Sequence, residues 1–145
     1  MKLVLQRVSS AAVAVDGKEI SRIGKGFLIL LGVGNQDDGS ALDWLANKVK
    51  DLRIFPDENK KMNLSIQDVS GEILLVSQFT LYAKCERGRR PDFTSAGAPE
   101  LAEKLYLEFG KALENMKIPV QYGEFGAMME VSLCNDGPVT IILEK

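Results

Sequence analysis

Asp16-Gly17 stands between the β-prone runs Val13-Ala14-Val15 and Lys18-Glu19-Ile20. Asp-Gly in that setting is a strong hairpin signal, because glycine tolerates the positive φ of a type I′ turn. The pair commits the start of the chain to two antiparallel strands. Residues 4–15, rich in Val, Ala and Ser, supply the first. Residues 27–33 follow Gly24-Lys25-Gly26 and read as a buried strand.

Two helical patterns interrupt the strands. Leu42, Leu45, Ala46, Val49 and Leu52 recur at helical spacing, and Ser40 with Asp43 resembles a capping box. Leu101, Leu105, Phe109, Ala112, Leu113 and Met116 make the apolar face of a longer helix, with Pro99 suited to its first position and Pro119 ending it. Residues 55–61 read as a polar loop, and residues 73–82 as one strand. Residues 120–122, 129–134 and 139–143 read as closing strands. The order implies an α/β fold, with a largely antiparallel sheet or small barrel and helices packed on it. Residues 1–145 are expected to form one domain.

Composition removes several function classes. The net charge of −2 leaves no global basic field for nucleic acid, so any such contact must be local. Cys85 and Cys134 form neither a CxxC pair nor a disulfide framework, which favours a reduced, cytoplasmic setting. No apolar run is long enough to span a bilayer, and no signal peptide is legible. The chain contains no histidine. A histidine triad, an HExxH metalloprotease and imidazole general-base catalysis are therefore all excluded. Neither a metal nor a cofactor is expected.

Three stretches carry candidate chemistry. Ser77, Gln78 and Thr80 place hydrogen-bonding groups in an otherwise apolar strand. By alternation, Gln78 and Thr80 would share one face, and Ser77 and Phe79 the other. The bland reading is side chains bonding nearby backbone at a strand end. The sharper one makes Thr80 or Ser77 a nucleophile, with Lys84 the only nearby base. Residues 135–140, Asn-Asp-Gly-Pro-Val-Thr, carry a turn signal and read most simply as a hairpin. Lys84, Arg87, Arg89 and Arg90 form a basic loop that is either solvated surface or a phosphate-binding patch. Asp37, Asp38, Asp57 and Glu58 read as solvated turn residues rather than a metal site.

Taken together, Ser77-Gln78-Phe79-Thr80 and Asn135-Asp136-Gly137-Pro138-Val139-Thr140 resemble the two signature motifs of the D-aminoacyl-tRNA deacylases, also called D-tyrosyl-tRNA deacylases. Residues 5–8 (LQRV), 61–65 (KMNLS), 87–93 (RGRRPDF), the Leu-Tyr pair at Tyr106 with Phe109, and 123–133 (GEFGAMMEVSL) also resemble that family. The resemblance implies mainly antiparallel sheets in a barrel-like core with two or three packed helices. It also implies a homodimer, with active sites at the subunit interface, that hydrolyses the ester of D-aminoacyl-tRNA and of mischarged glycyl-tRNA. Ser77, Gln78, Phe79 and Thr80 would form the catalytic strand. The Phe79 backbone N–H region would stabilise an oxyanion, and the substrate's own 2′-hydroxyl and a water would do the bond chemistry. Gly137-Pro138, as a cis peptide entering the partner subunit's site, would reject L-amino acids, with Arg7 orienting that loop and Met129 in the same substrate-binding set. The basic loop would hold the acceptor end of the tRNA. Two alternatives share these residues. One is a non-catalytic nucleic-acid-binding protein of the same fold, for which a basic tail would be expected. The other is a synthetase-type editing domain.

Overall fold

The computed structural model describes residues 1–86 and 88–145. Strands β1 (Lys2–Val15) and β2 (Lys18–Ile23) form the expected hairpin. Asp16 at φ 51° and Gly17 at φ 74° supply the two positive angles of its turn. β1 is long enough to serve three partners. On one edge β3 (Gly26–Gly32) pairs with residues 2–8 and β2 takes over from Ala11. On the other edge β8 (Met129–Glu144) runs antiparallel along the length of β1. β6 (Glu72–Ser77) joins parallel to β3, and β7 (Val120–Tyr122) parallel to β6. β2 folds over towards β6 and β7, so the sheet curls into a nearly closed barrel.

Helices α1 (Leu42–Asp51) and α2 (Pro99–Asn115) pack on each other and on one face of the sheet. Alternation along the strands divides the core. Leu3, Leu5, Phe27, Ile29, Leu31, Ile73 and Leu75 point to the helices, where Leu45, Val49, Phe109 and Leu113 meet them. Val8, Val13, Leu28, Leu74 and Val76 fill the inside of the curl. β3 and β6 are thus covered on both faces, which is why both are continuous apolar runs rather than alternating ones. Fully burying each such side chain stabilises the fold by roughly 1.5–3 kcal/mol. No described helix is long and apolar enough to cross a membrane.

Three local expectations are corrected. Ser40 does not cap α1. Asp38 Oδ1 takes the Ser40 N–H at 2.9 Å, and the chain enters the helix through a turn at Gly39 (φ 89°), with Ala41 as the capping residue. An aspartate two residues upstream competes for that N–H and wins. Residues 55–61 are not only loop: β4 (Phe55–Pro56) pairs with β5 (Met62–Leu64). The Asp57 carboxylate closes this hairpin by accepting the N–H groups of Asn59 (2.8 Å) and Lys61 (3.0 Å). Strands this short leave no periodicity to read. Finally, residues 129–134 and 139–143 are not two strands joined by a hairpin; both belong to β8. Both halves keep the same neighbour, β1, and the same direction along it.

Candidate active site

The strand expected over residues 73–82 ends at Ser77. Its neighbours run out there: the last pair with β3 is Leu31–Ser77, and β7 pairs only with residues 73–75. Gln78 makes one more bond, its N–H donating to the Leu31 carbonyl at 2.8 Å. The backbone then winds into a single 3₁₀ turn, Phe79–Tyr82. Gly32 leaves room for it, since a Cβ there would lie 3.1 Å from the Gln78 carbonyl and from Leu81 Cβ. The face-sharing expected from strand alternation therefore does not hold beyond Ser77. Phe79 is 54% exposed and sits edge-on to Phe93, with ring centroids 5.1 Å apart. The Gln78 Nε2 amide donates to Thr80 Oγ1. The first N–H groups of a helical turn have no partner within it. Among the described residues, the Phe79 N–H donates no hydrogen bond.

Ser77, Gln78 and Phe79 line a cavity of about 540 Å³, within the size range of small-ligand sites. Its opposite wall comes from residues 125–129 and Val131, and includes Met129. A third side is Ala96-Gly97, held in place by the Gly97 N–H donating to the Val33 carbonyl at 2.9 Å. Among the described residues none that lines the cavity is ionisable. The hydrogen bonds of Thr80 among the described residues include none to Lys84; Thr80 Oγ1 accepts from Gln78 instead. Lys84 pairs through its backbone with Asp92, at 2.8 and 2.9 Å. The cavity is shaped to hold and polarise a ligand, not to take its proton.

The second motif has a different construction. Val8 pairs with Asn135 and Gln6 with Thr140, so Arg7 alone on β1 faces residues 136–139 on β8. The surplus buckles outward as a bulge, with Gly137 and Pro138 exposed at its tip and their peptide bond cis. Asn135 closes the neck: its Oδ1 accepts the Val139 N–H at 2.7 Å and its Nδ2 donates to the Val139 carbonyl at 3.2 Å. Arg7, only 6% exposed, braces the base. Its Nε donates to the Asp136 carbonyl at 2.7 Å and its Nη1 to the Ile54 carbonyl. It also lies 3.3 Å from the Asp136 carboxylate. Gly137 has φ 151°, and a Cβ there would lie 2.7 Å from Val139 Cγ2 and 2.9 Å from its backbone nitrogen.

One chain does not bring the two motifs together. Ser77, Gln78, Phe79 and Met129 share the cavity, with Thr80 beside it; Gly137, Pro138 and Arg7 do not line it. Arg7 registers with Phe27 on β3, whereas Ser77 registers with Leu31. That offset is roughly 13 Å along the strands at about 3.3 Å per residue. Lys84, Arg89 and Arg90 are exposed on the loop leaving the turn, and Arg87 lies outside the described residues. Hydrogen bonds from the Thr94 N–H (2.8 Å) and hydroxyl (3.1 Å) hold the Asp92 carboxyl below its ordinary range and stiffen that loop. The sequence places Asn135 in a turn signal and in a signature motif but assigns it no role of its own. Asn readily bonds nearby backbone, but the same signal serves any turn.

The family model described as D-Tyr-tRNA(Tyr) deacylase matches residues 4–144. The chain belongs to that family. A D-aminoacyl-tRNA deacylase of Thermosipho africanus is 53% identical over 145 residues, covering 100% of this chain and 97% of the relative. Among solved structures, one titled "c-Myc DNA Unwinding Element Binding Protein" superposes on this deacylase-family chain with a TM-score of 0.92 at 43% identity. That match covers 100% of this chain and 99% of the other. A structure titled as a "probable eukaryotic D-amino acid tRNA deacylase" reaches 0.81 at 20% identity, covering 98% and 97%, and shares the fold.

Proposed function

We propose that this chain hydrolyses the ester between a D-amino acid and the 3′ end of tRNA, with its own backbone and the substrate supplying the catalytic groups. The observation that carries the mechanism is that, among the described residues, the cavity has no ionisable lining and the Phe79 N–H of the adjoining turn is unused. An aminoacylated adenosine seated there presents its carbonyl to that N–H. Water attacks the carbonyl carbon, the new C–O bond forms, and the bond to the ribose 3′-oxygen breaks. The water's proton passes by way of the 2′-hydroxyl to the departing oxygen. One preorganised oxyanion donor is worth roughly 3–4 kcal/mol, enough to matter for an ester that is already activated. Gln78 and Thr80, bonded to each other, act as wall rather than nucleophile and base.

Chiral selection requires a second copy. The braced Gly137-Pro138 tip stands away from its own chain's cavity, and among the described residues β8 pairs on one edge only, leaving the other open along its length, with Ile142 exposed. Open strand edges are ready surfaces for another chain. A homodimer that inserts each tip into its partner's cavity would hold the substrate's α-amino group on backbone carbonyls. The space an L side chain needs would then be filled. Steric exclusion discriminates better than hydrophobic fit, which separates close analogues by only about 1–3 kcal/mol. Glycine has no side chain to exclude, so glycyl-tRNA is also a substrate. Lys84, Arg89 and Arg90, with Arg87 from the sequence, hold the acceptor end. Two exposed free cysteines suit the reducing cytoplasm, where translation occurs.

Incubation with D-tyrosyl-tRNA and L-tyrosyl-tRNA tests this reading. Release from the D ester at a rate at least a hundred times that from the L ester is expected; no D-selective release sinks it. The neighbour titled as a DNA-unwinding-element binding protein favours a second reading, in which this chain binds nucleic acid without hydrolysis. Tight duplex binding at physiological salt together with inert D-tyrosyl-tRNA would establish that reading instead.

A further inference from the structure

Tyr82, the last residue of the 3₁₀ turn, is seated in a way the two motifs do not account for. Its ring lies against Gly34, where a Cβ would come within 2.6 Å of Cε1 and 2.8 Å of Cζ. Gly34 has no positive φ, so it is the ring, not the backbone angle, that requires glycine there. The Tyr82 hydroxyl reaches Asp37 Oδ2 at 3.3 Å. The same oxygen accepts the Gly34 N–H at 2.6 Å, and Asp37 Oδ1 accepts the Met1 amino group at 2.7 Å. One carboxylate therefore joins the turn to the loop at residues 33–37. That loop also anchors another cavity wall, through the Gly34–Ala96 bridge and the 3.0 Å bond from the Asn35 N–H to the Ser95 carbonyl. Burial, and then the Asp37 charge, push the Tyr82 phenol up, so it remains a donor.

We infer that Asp37 and Tyr82 are positioning residues for deacylation: seated on Gly34, they set where the Phe79 amide points relative to the Ala96-Gly97 wall. Within the turn the Leu81 N–H donates to the Gln78 carbonyl at 3.2 Å and the Ala83 N–H to the Thr80 carbonyl at 3.0 Å, so it moves as one piece. Gln78 ties its start to Leu31, and the Lys84–Asp92 pairing follows its end. Because the Leu81 N–H holds the Gln78 carbonyl, and with it the plane of the Phe79 amide, the amide follows the turn as a unit, and the Tyr82 seat fixes that unit against the loop at residues 33–37. The inference rests on the proposed use of the Phe79 N–H, and the test separates the two.

Tyr82→Phe keeps the ring and removes only the hydroxyl. Its ¹H–¹⁵N resonance for Phe79 should move, and kcat on D-tyrosyl-tRNA should fall about tenfold with KM within about twofold, the scale of one lost hydrogen bond. An unmoved Phe79 resonance overturns the inference. A moved resonance with unchanged kcat upholds the positioning and instead removes the Phe79 amide from the chemistry. Asp37→Asn combined with Tyr82→Phe should lower kcat no further than Asp37→Asn alone, because both break one link; losses that multiply count against it. Gly34→Ala, which displaces the ring, should lower kcat more than Tyr82→Phe. Should Gly34→Ala fail to fold, Tyr82→Phe decides.

Discussion

The two signature stretches leave the β-ladder in opposite ways. β6 stops because its neighbours stop, and the chain beyond Ser77 becomes a turn whose Phe79 N–H is unused among the described residues. β8 does not stop. It sheds surplus residues between Asn135 and Thr140 and resumes on the same partner. The first region is a terminus, open to a ligand and lightly held. The second is a rigid projection, clamped at the neck by Asn135 and at the base by buried Arg7. A site that must polarise a carbonyl needs the first kind of backbone, and a site that must exclude a shape needs the second.

The largest effect should come from the rigid region. Gly137→Val forces a branched side chain onto a φ of 151° and into Val139. D-tyrosyl-tRNA hydrolysis should fall at least about a hundredfold, with roughly 1–3 kcal/mol of strain in urea unfolding. Near-normal activity would mean that the tip is not a wall. Next, Arg7→Ala leaves the Asp136 and Ile54 carbonyls without their donor, and should cost about 2 kcal/mol by the same unfolding measurement. Asn135→Ala frees the neck, so L-tyrosyl-tRNA should begin to be hydrolysed while the D rate changes less. Rigidity and selectivity would separate if the D-to-L ratio stayed fixed.

In the open region, Thr80→Ala removes a hydroxyl that accepts from Gln78 and should keep single-turnover rates within about tenfold of the parent. Complete loss in a folded variant would restore Thr80 as a nucleophile. The smallest effect concerns Asp92. Its carboxyl titrates below the ordinary range because Thr94 bonds the charged form. Its hold on the loop is therefore present above the unfolded pKa and lost as pH falls through the folded one. Below about pH 4 the basic loop should become more open to proteolysis, while α1 and α2 remain protected.

Much of the scaffold was legible from local chemistry. Asp16-Gly17 made its hairpin because both residues reach positive φ without help from elsewhere. Pro99 began α2 because its missing N–H costs nothing at that position. The unbroken apolar runs of β3 and β6 marked strands buried on both faces. Ser77-Gln78-Phe79-Thr80 and the Asn135–Thr140 stretch were legible as a pair through their family resemblance. Their shapes were not. Continued alternation past Ser77 needed a neighbouring strand that had already ended. The turn signal at Asn135 could not tell a reversal from a bulge, because only pairing with β1 settles it. Asp37 and Tyr82, 45 residues apart, gave no local sign of their contact.

The sequence by itself determined which reactions this protein cannot perform by side chains, because a chain without histidine has no imidazole wherever it folds. It also determined the hairpin, the helices and the family, through residues whose preferences act over a few positions. Only the tertiary structure decided that Phe79 lies at the start of a turn, that Arg7 meets the Asp136 carbonyl, and that the two motifs stand apart within one chain. Those outcomes depend on where neighbouring strands run out and on which loops are packed side by side. Such contacts form between residues distant in sequence, and no local preference encodes them.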